Sequence, residues 1–227
     1  ATGDVKKLAR STRREIGRLS CEPAWSNHWS GESSIPDYSG VLRKMKSLLS
    51  AGGADELVEI GDELMSRGIE QVEQSNDEGE TAMQIGQCME VVFKAVPQSS
   101  LEPAEQILWM IDAFLADQYS LLDGVENPFP KKRYAAGDWS AAADTLLKRL
   151  ASFASKGPKD DDFSSKYRRE SIMRWAITAL ENSGRKVEII PLLGKEAPVT
   201  FCYERLVDAL IAEKRMGDAA FRAREGY

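Results

Sequence analysis

Apolar side chains recur along this chain every three or four residues, and that period restricts it to helices with one buried face. They fall at Ala82, Ile85, Met89, Val92 and Val96, and again at Trp139, Ala143, Leu146, Leu150 and Phe153. Within 106–122, Ile107, Leu108, Ile111, Phe114, Leu115, Tyr119 and Leu122 make a wider stripe, as a more deeply buried helix requires. No stretch alternates apolar and polar residues as a half-buried strand would. Helices are predicted over 4–19, 38–51, 54–74, 79–96, 103–122, 138–154, 164–182, 186–196, 199–213 and 217–225. Pro103 with Glu105 behind it opens one of them, because proline at the first helical position forfeits no hydrogen bond and an early acid suits the dipole. Asp138 is predicted to N-cap another. Gly124, Pro128 and Pro130 close a helix, and the polar run 155–162 reads as a connection that cannot pack a core.

Between helices a corner recurs. Leu48-x3-Gly52-x3-Glu56-Leu57-Val58 returns as Leu180-x3-Gly184-x3-Glu188-Ile189-Ile190, and in weaker form as Leu210-x3-Lys214-x3-Asp218-Ala219-Ala220. The leucine ends one helix, the glycine supplies a tight turn, and the acid followed by apolar residues opens the next helix. Two of the copies stand thirty residues apart, close to the period of a helical hairpin with its turns. The expected fold class is all-α, with helical hairpins of the tetratricopeptide kind stacked into a right-handed solenoid or αα-superhelix. Residues 1–37 are expected to form a basic N-terminal helix and a Trp-containing loop, and 38–227 a helical-repeat domain. Gly61 and Gly68 either admit a neighbouring helix closely or weaken the helix that carries them.

With 42% apolar and 29% charged residues the 227-residue chain is well supplied with core formers. Its 30 basic and 36 acidic side chains leave a net charge of −6, which argues against nucleic acid as the main partner but not against a local basic patch. Cys21, Cys88 and Cys202 are odd in number and far apart, so they are no disulfide framework and suit a reducing cytoplasm. Cys88 and Cys202 lie among apolar neighbours and read as small buried hydrophobes. No apolar run approaches the roughly 20 residues needed to cross a bilayer, and the first twenty residues are basic and amphipathic, without a secretory signal. With no initiator Met, the expectation is a processed product or a piece of a longer protein.

Candidate chemistry is sparse. His28, between Trp25 and Trp29, is the single histidine, and it lacks the partners that a nucleophilic triad or a zinc site with Cys21 would need. Asp55, Glu56, Glu59, Asp62 and Glu63, and the run Asp160, Asp161 and Asp162, read as solvated faces. No glycine-rich phosphate loop is present. No catalytic, cofactor-binding or metal-ligating residue is therefore assigned, and the chain is read as no enzyme. Trp109, Trp139 and Trp175 read as core anchors. Three basic groups remain as candidate partner-binding residues: Lys131, Lys132 and Arg133; Lys166, Arg168, Arg169 and Arg174; and Lys6, Lys7, Arg10, Arg13, Arg14 and Arg18 near the start, whose helix has an apolar side at Val5, Leu8, Ile16 and Leu19. The alternative for each is a charged face paired with the acid-rich remainder of the chain.

Segments 57–64 (LVEIGDEL), 70–81 (EQVEQSNDEGET), 90–96 (EVVFKAV), 101–112 (LEPAEQILWMID), 174–181 (RWAITALE) and 203–212 (YERLVDALIA) resemble the helical C-terminal region of bacterial SWIM zinc-finger proteins. The resemblance runs from residue 47 to the end. It implies a tetratricopeptide-like array attached to an N-terminal zinc module that serves nucleic-acid or protein binding. The Cys-x-Cys and Cys-x-His signature of that module is missing here, so zinc and contacts made through it do not carry over. The expected function is a non-catalytic scaffold for a protein or peptide partner. The alternative is a nucleic-acid-binding accessory domain using basic helix faces.

Overall fold

The three-and-four spacing is realised as ten α-helices among the described residues. The computed structural model describes residues 2–27, 29–126, 128–129, 133–154 and 163–226. His28, Pro130, Lys131, Lys132 and the connection 155–162, with its three aspartates, lie outside them. The chain divides into two compact units, Ala1–Arg133 and Tyr134–Tyr227.

The first unit holds α1 (Thr2–Leu19), β1 (Trp25–Asn27), β2 (Glu32–Ser34), α2 (Ser39–Ser50), α3 (Ala54–Gln74), α4 (Glu80–Ala95), a 3₁₀ turn (Val96–Gln98) and α5 (Pro103–Ala116). Helix α3 is its axis and packs on α1, α2, α4 and α5. Gly61 and Gly68 explain how α4 comes so near. A Cβ at Gly61 would stand 2.6 Å from Val92 Cγ1, and one at Gly68 would stand 3.1 Å from Ile85 Cγ2. Both pairs are seven residues apart and run in opposite directions, so the two glycines form a trough for one antiparallel face. Leu57, Ile60, Leu64, Ile85, Met89 and Val92 are fully buried along that seam.

A polar knot closes the other side. The Gln71 amide donates to the Leu19 and Glu22 carbonyls, both at 2.8 Å, and its oxygen accepts the Tyr38 hydroxyl at 2.7 Å. One buried side chain thereby satisfies carbonyls that the end of α1 leaves without helical partners.

The second unit holds α6 (Ala136–Ala154), α7 (Phe163–Asn182), a 3₁₀ turn (Lys186–Glu188), α8 (Ile189–Thr200), α9 (Tyr203–Ala212) and α10 (Met216–Glu225). Packing follows chain order: α6 on α7, α7 on α8, α8 on α9, and α9 on α10.

The corner sequences fold alike in both units. Gly52, Gly184 and Lys214 all take the left-handed conformation, at φ of 78°, 79° and 59°. In each case the following N–H donates back to the leucine carbonyl: Gly53 to Leu48 at 2.9 Å, Arg185 to Leu180 at 2.9 Å, and Arg215 to Leu210 at 2.8 Å. The left-handed residue itself donates to the carbonyl after that leucine, at 3.1, 3.1 and 2.9 Å. This paired cap satisfies the last helical carbonyls and turns the chain.

Four expectations need correction. The loop around Trp25 contains a two-stranded antiparallel ribbon, Trp25 opposite Ser34 and Asn27 opposite Glu32. Its residues are exposed almost throughout, so no apolar alternation was there to announce it. The ribbon is anchored instead by backbone bonds, Ser26 N–H to Asn76 and Asn76 N–H to Ala24. Helix α5 stops at Ala116, six residues early, because the Asp117 carboxylate takes the N–H groups of Tyr119, Leu121 and Leu122. Helix α8 continues to Thr200 through Pro198, which in the last turn removes a single bond, and the chain reverses at Phe201 in the left-handed conformation. Asp138 is not the N-cap of α6; from the first turn its carboxylate reaches back to the Ala135 N–H at 2.8 Å.

Candidate interaction surface

The basic group on α7 divides between the α7–α8 seam and solvent. Arg169 is buried and holds Glu196 of α8 with both arms, Nε to Oε2 at 2.6 Å and Nη2 to Oε1 at 3.1 Å. Lys166 sits over the Phe201 ring, 5.4 Å from its centroid, a cation–π arrangement across the same seam. Arg174 donates to Ser171 Oγ on its own helix at 3.1 Å. Arg168 is exposed and makes no ion pair among the described residues. Of the first group, only Arg133 is described, and its guanidinium donates to the Pro97 carbonyl.

The α7–α8 and α9–α10 corners share a further element. Arg185 grips Glu188 at 2.7 Å and Asp144 of α6 at 2.6 Å, and Arg215 grips Asp218 at 2.7 Å. The two arginines and their acids stand thirty residues apart, in step with the leucines and the left-handed residues. Arg185 thereby ties the corner to the preceding helix through Ser140 and Asp144.

Large apolar side chains remain outside on this unit. Phe201 is 70% exposed, Tyr167 61% and Phe221 58%, with Val187 and Met216 beside the two corners also exposed. Tyr167 lies near the start of α7 and Phe201 follows α8, which brings both to the same end of that hairpin. Nothing in the periodicity flagged them; Tyr167 and Phe221 lie on the outer faces of α7 and α10, and Phe201 stands where α8 has already ended.

The α1 cations behave differently. Arg13 pairs with Glu59 and Glu63, and Lys44 of α2 pairs with Glu15. Among the described residues, Lys6, Lys7, Arg10, Arg14 and Arg18 are exposed and make no salt bridge, and the same holds for Arg43 and Lys46 of α2. Sequence reasoning left out Arg43 and Lys46, whose three-residue spacing on the polar face of α2 was the available signal.

Carboxylates and thiols offer no gathered centre. Burial pushes the Asp62 carboxyl up, the Trp109 indole N–H at 2.8 Å pulls it down, Glu59 and Asp112 push it up again, and the net result is a raised value. Burial raises the Cys88 thiol to about 12, which keeps it protonated and unreactive. Among the described residues no three His, Cys, Asp or Glu side chains stand together as a metal site, and no helix is long and apolar enough to cross a membrane. Trp139 is buried, as a core anchor should be, while Trp109 and Trp175 are half-buried. Comparison with protein-family models, with curated proteins and with solved structures finds no match to this chain.

Proposed function

We propose that this chain is a non-catalytic helical-repeat scaffold that binds a protein or peptide partner through its second unit. The observation that carries the reading is the thirty-residue coincidence of leucine cap, left-handed residue, arginine and acid at the α7–α8 and α9–α10 corners. Helices that pack in chain order and turn at like corners are the units from which tetratricopeptide-like solenoids are built. Exposed Tyr167, Phe201 and Phe221 supply the large, rigid contact area that partner sites favour. The segment resemblance to the C-terminal region of bacterial SWIM zinc-finger proteins supports the same architecture, and the unpaired cysteines suit a reducing cytoplasm.

The test is selection of peptides from a displayed library on the intact chain, followed by binding to Phe201→Ala and Tyr167→Ala. Selected peptides should lose about tenfold or more in affinity on either variant, while circular dichroism stays unchanged. Failure to select any peptide, or binding to both variants as tight as to the parent chain, would sink the reading.

A further inference from the structure

Helices α1 and α2 concentrate positive charge in a chain that is acidic as a whole. Helix α1 carries six cations against two carboxylates and α2 carries three cations and no carboxylate, whereas the net charge of the chain is −6. The two helices pack together. If these cations served only to neutralise the acidic remainder, they would be paired. Among the described residues only Arg13 and Lys44 stand in salt bridges, while Arg43 interacts at longer range with Asp37.

The unpaired cations are ordered. Arg10, Arg14 and Arg18 succeed one another at four-residue steps, a rise of about 6 Å each, on the exposed side of α1. Arg18 and Arg43 of α2 both line a cleft of about 420 Å³, together with Ser34 of the ribbon and the carboxylates Glu15, Glu22 and Asp37. Ser34 stands opposite Trp25 in the ribbon register, so their side chains share one face. Trp25 is 45% exposed, and Trp29 at the ribbon tip is 95% exposed. A row of guanidinium groups therefore leads to a cleft beside a ribbon that carries one half-exposed and one largely exposed indole.

We propose that α1, α2 and the tryptophan ribbon form a binding surface for single-stranded nucleic acid, with Arg10, Arg14, Arg18 and Arg43 on successive phosphates and Trp25 and Trp29 stacked on bases. Guanidinium forks suit phosphate oxygens, and indoles stack only on bases that are not already paired and stacked in a duplex. A membrane surface fits less well, because the apolar side of α1, with Ile16 and Leu19, is already buried in the protein and has nothing to insert. An acidic peptide would satisfy the arginines but gives the exposed indoles no planar partner.

Fluorescence anisotropy of a labelled oligothymidine, titrated with the whole chain across a salt series, tests this. Binding should weaken linearly in log–log terms with salt, and Arg14→Ala, Arg18→Ala or Arg43→Ala should each lower that slope by about 0.7. Trp29→Ala should cost about tenfold at unchanged slope, and Lys94→Ala on α4 should change neither. No binding at low salt would overturn the proposal. Equal or tighter binding of a duplex of the same length, of polyglutamate, or of phosphatidylserine vesicles would overturn it too, as would a Trp29→Ala chain that binds like the parent.

Discussion

Arg169 and Glu196 lock α7 to α8 by a two-pronged ion pair, at 2.6 and 3.1 Å, in which the carboxylate side chain is 1% exposed and the guanidinium side chain 10%. Such a pair is worth less than its geometry suggests, because both charges were taken out of water to make it. Breaking it is another matter. Glu196→Ala strands a cation in the interior and should cost about 3–5 kcal/mol, read from urea unfolding. Replacing both partners with apolar residues of similar volume, Arg169→Met with Glu196→Leu, should recover most of that loss. A double variant as unstable as the single one would show that the pair contributes more than mutual neutralisation.

The Gly61–Val92 approach makes a second prediction. A methyl group at Gly61 meets Val92 Cγ1 at 2.6 Å and the Trp109 ring at 3.1 Å, so Gly61→Ala must push α4 or α5 outward. Overpacking of this kind costs about 1–3 kcal/mol, more than the helix propensity gained from alanine. Val92→Ala alone should also destabilise, but Gly61→Ala with Val92→Ala should cost less than the two separately. A double-mutant cycle that comes out additive would mean the two positions do not touch in solution.

The helices were legible because their apolar residues keep one period, and the corners because a left-handed residue nearly demands glycine. Elements set by single polar contacts were not legible. Asp117 ends α5 by capturing three N–H groups, although Tyr119 and Leu122 continue the stripe that implied a longer helix. The ribbon at Trp25 rests on backbone bonds to Asn76, a residue fifty-one positions along, and no local pattern reports such a pairing. Burial sorted the candidate surfaces in the same way. Arg168 and Arg169 are neighbours of one residue type, yet the helical turn sends the first to solvent and the second to Glu196. That outcome depends on where α8 lies.

Asp62 carries a pH signature. Its carboxyl is held above the ordinary 3.8 by burial, partly offset by the Trp109 hydrogen bond and reinforced by Glu59 and Asp112. An acid whose folded value is raised binds its proton more tightly in the native state, so its contribution is most favourable in acid and declines as pH rises through the window above 3.8. Asp62→Asn keeps an oxygen for the indole N–H and removes the charge. It should raise Tm by roughly 1–2 °C at neutral pH, the gain being small because the group is part-exposed and screened. Below about pH 4 the gain should vanish. A constant gain across the range would place its origin elsewhere.

Lys214 occupies at the α9–α10 corner the position that Gly52 and Gly184 hold at the other two, at φ 59° against their 78° and 79°. For a side-chain-bearing residue this conformation costs about 1 kcal/mol that glycine does not incur. The hydrogen bonds on either side are already in place, Lys214 N–H to Ile211 and Arg215 N–H to Leu210, so glycine has nothing to rearrange. Lys214→Gly should therefore stabilise the corner by about 0.5–1 kcal/mol, while Gly184→Ala should destabilise its counterpart by about 1 kcal/mol. Since α10 is held through α9, the gain belongs to local opening of that hairpin more than to global unfolding. Hydrogen exchange is the proper reading: amides of α9 and α10 should slow about two- to fivefold in Lys214→Gly, while those of α3 stay unchanged. Uniform slowing over all helices would mean the chain opens as one cooperative body, and the nearest-neighbour stacking from which the scaffold reading starts would then be wrong.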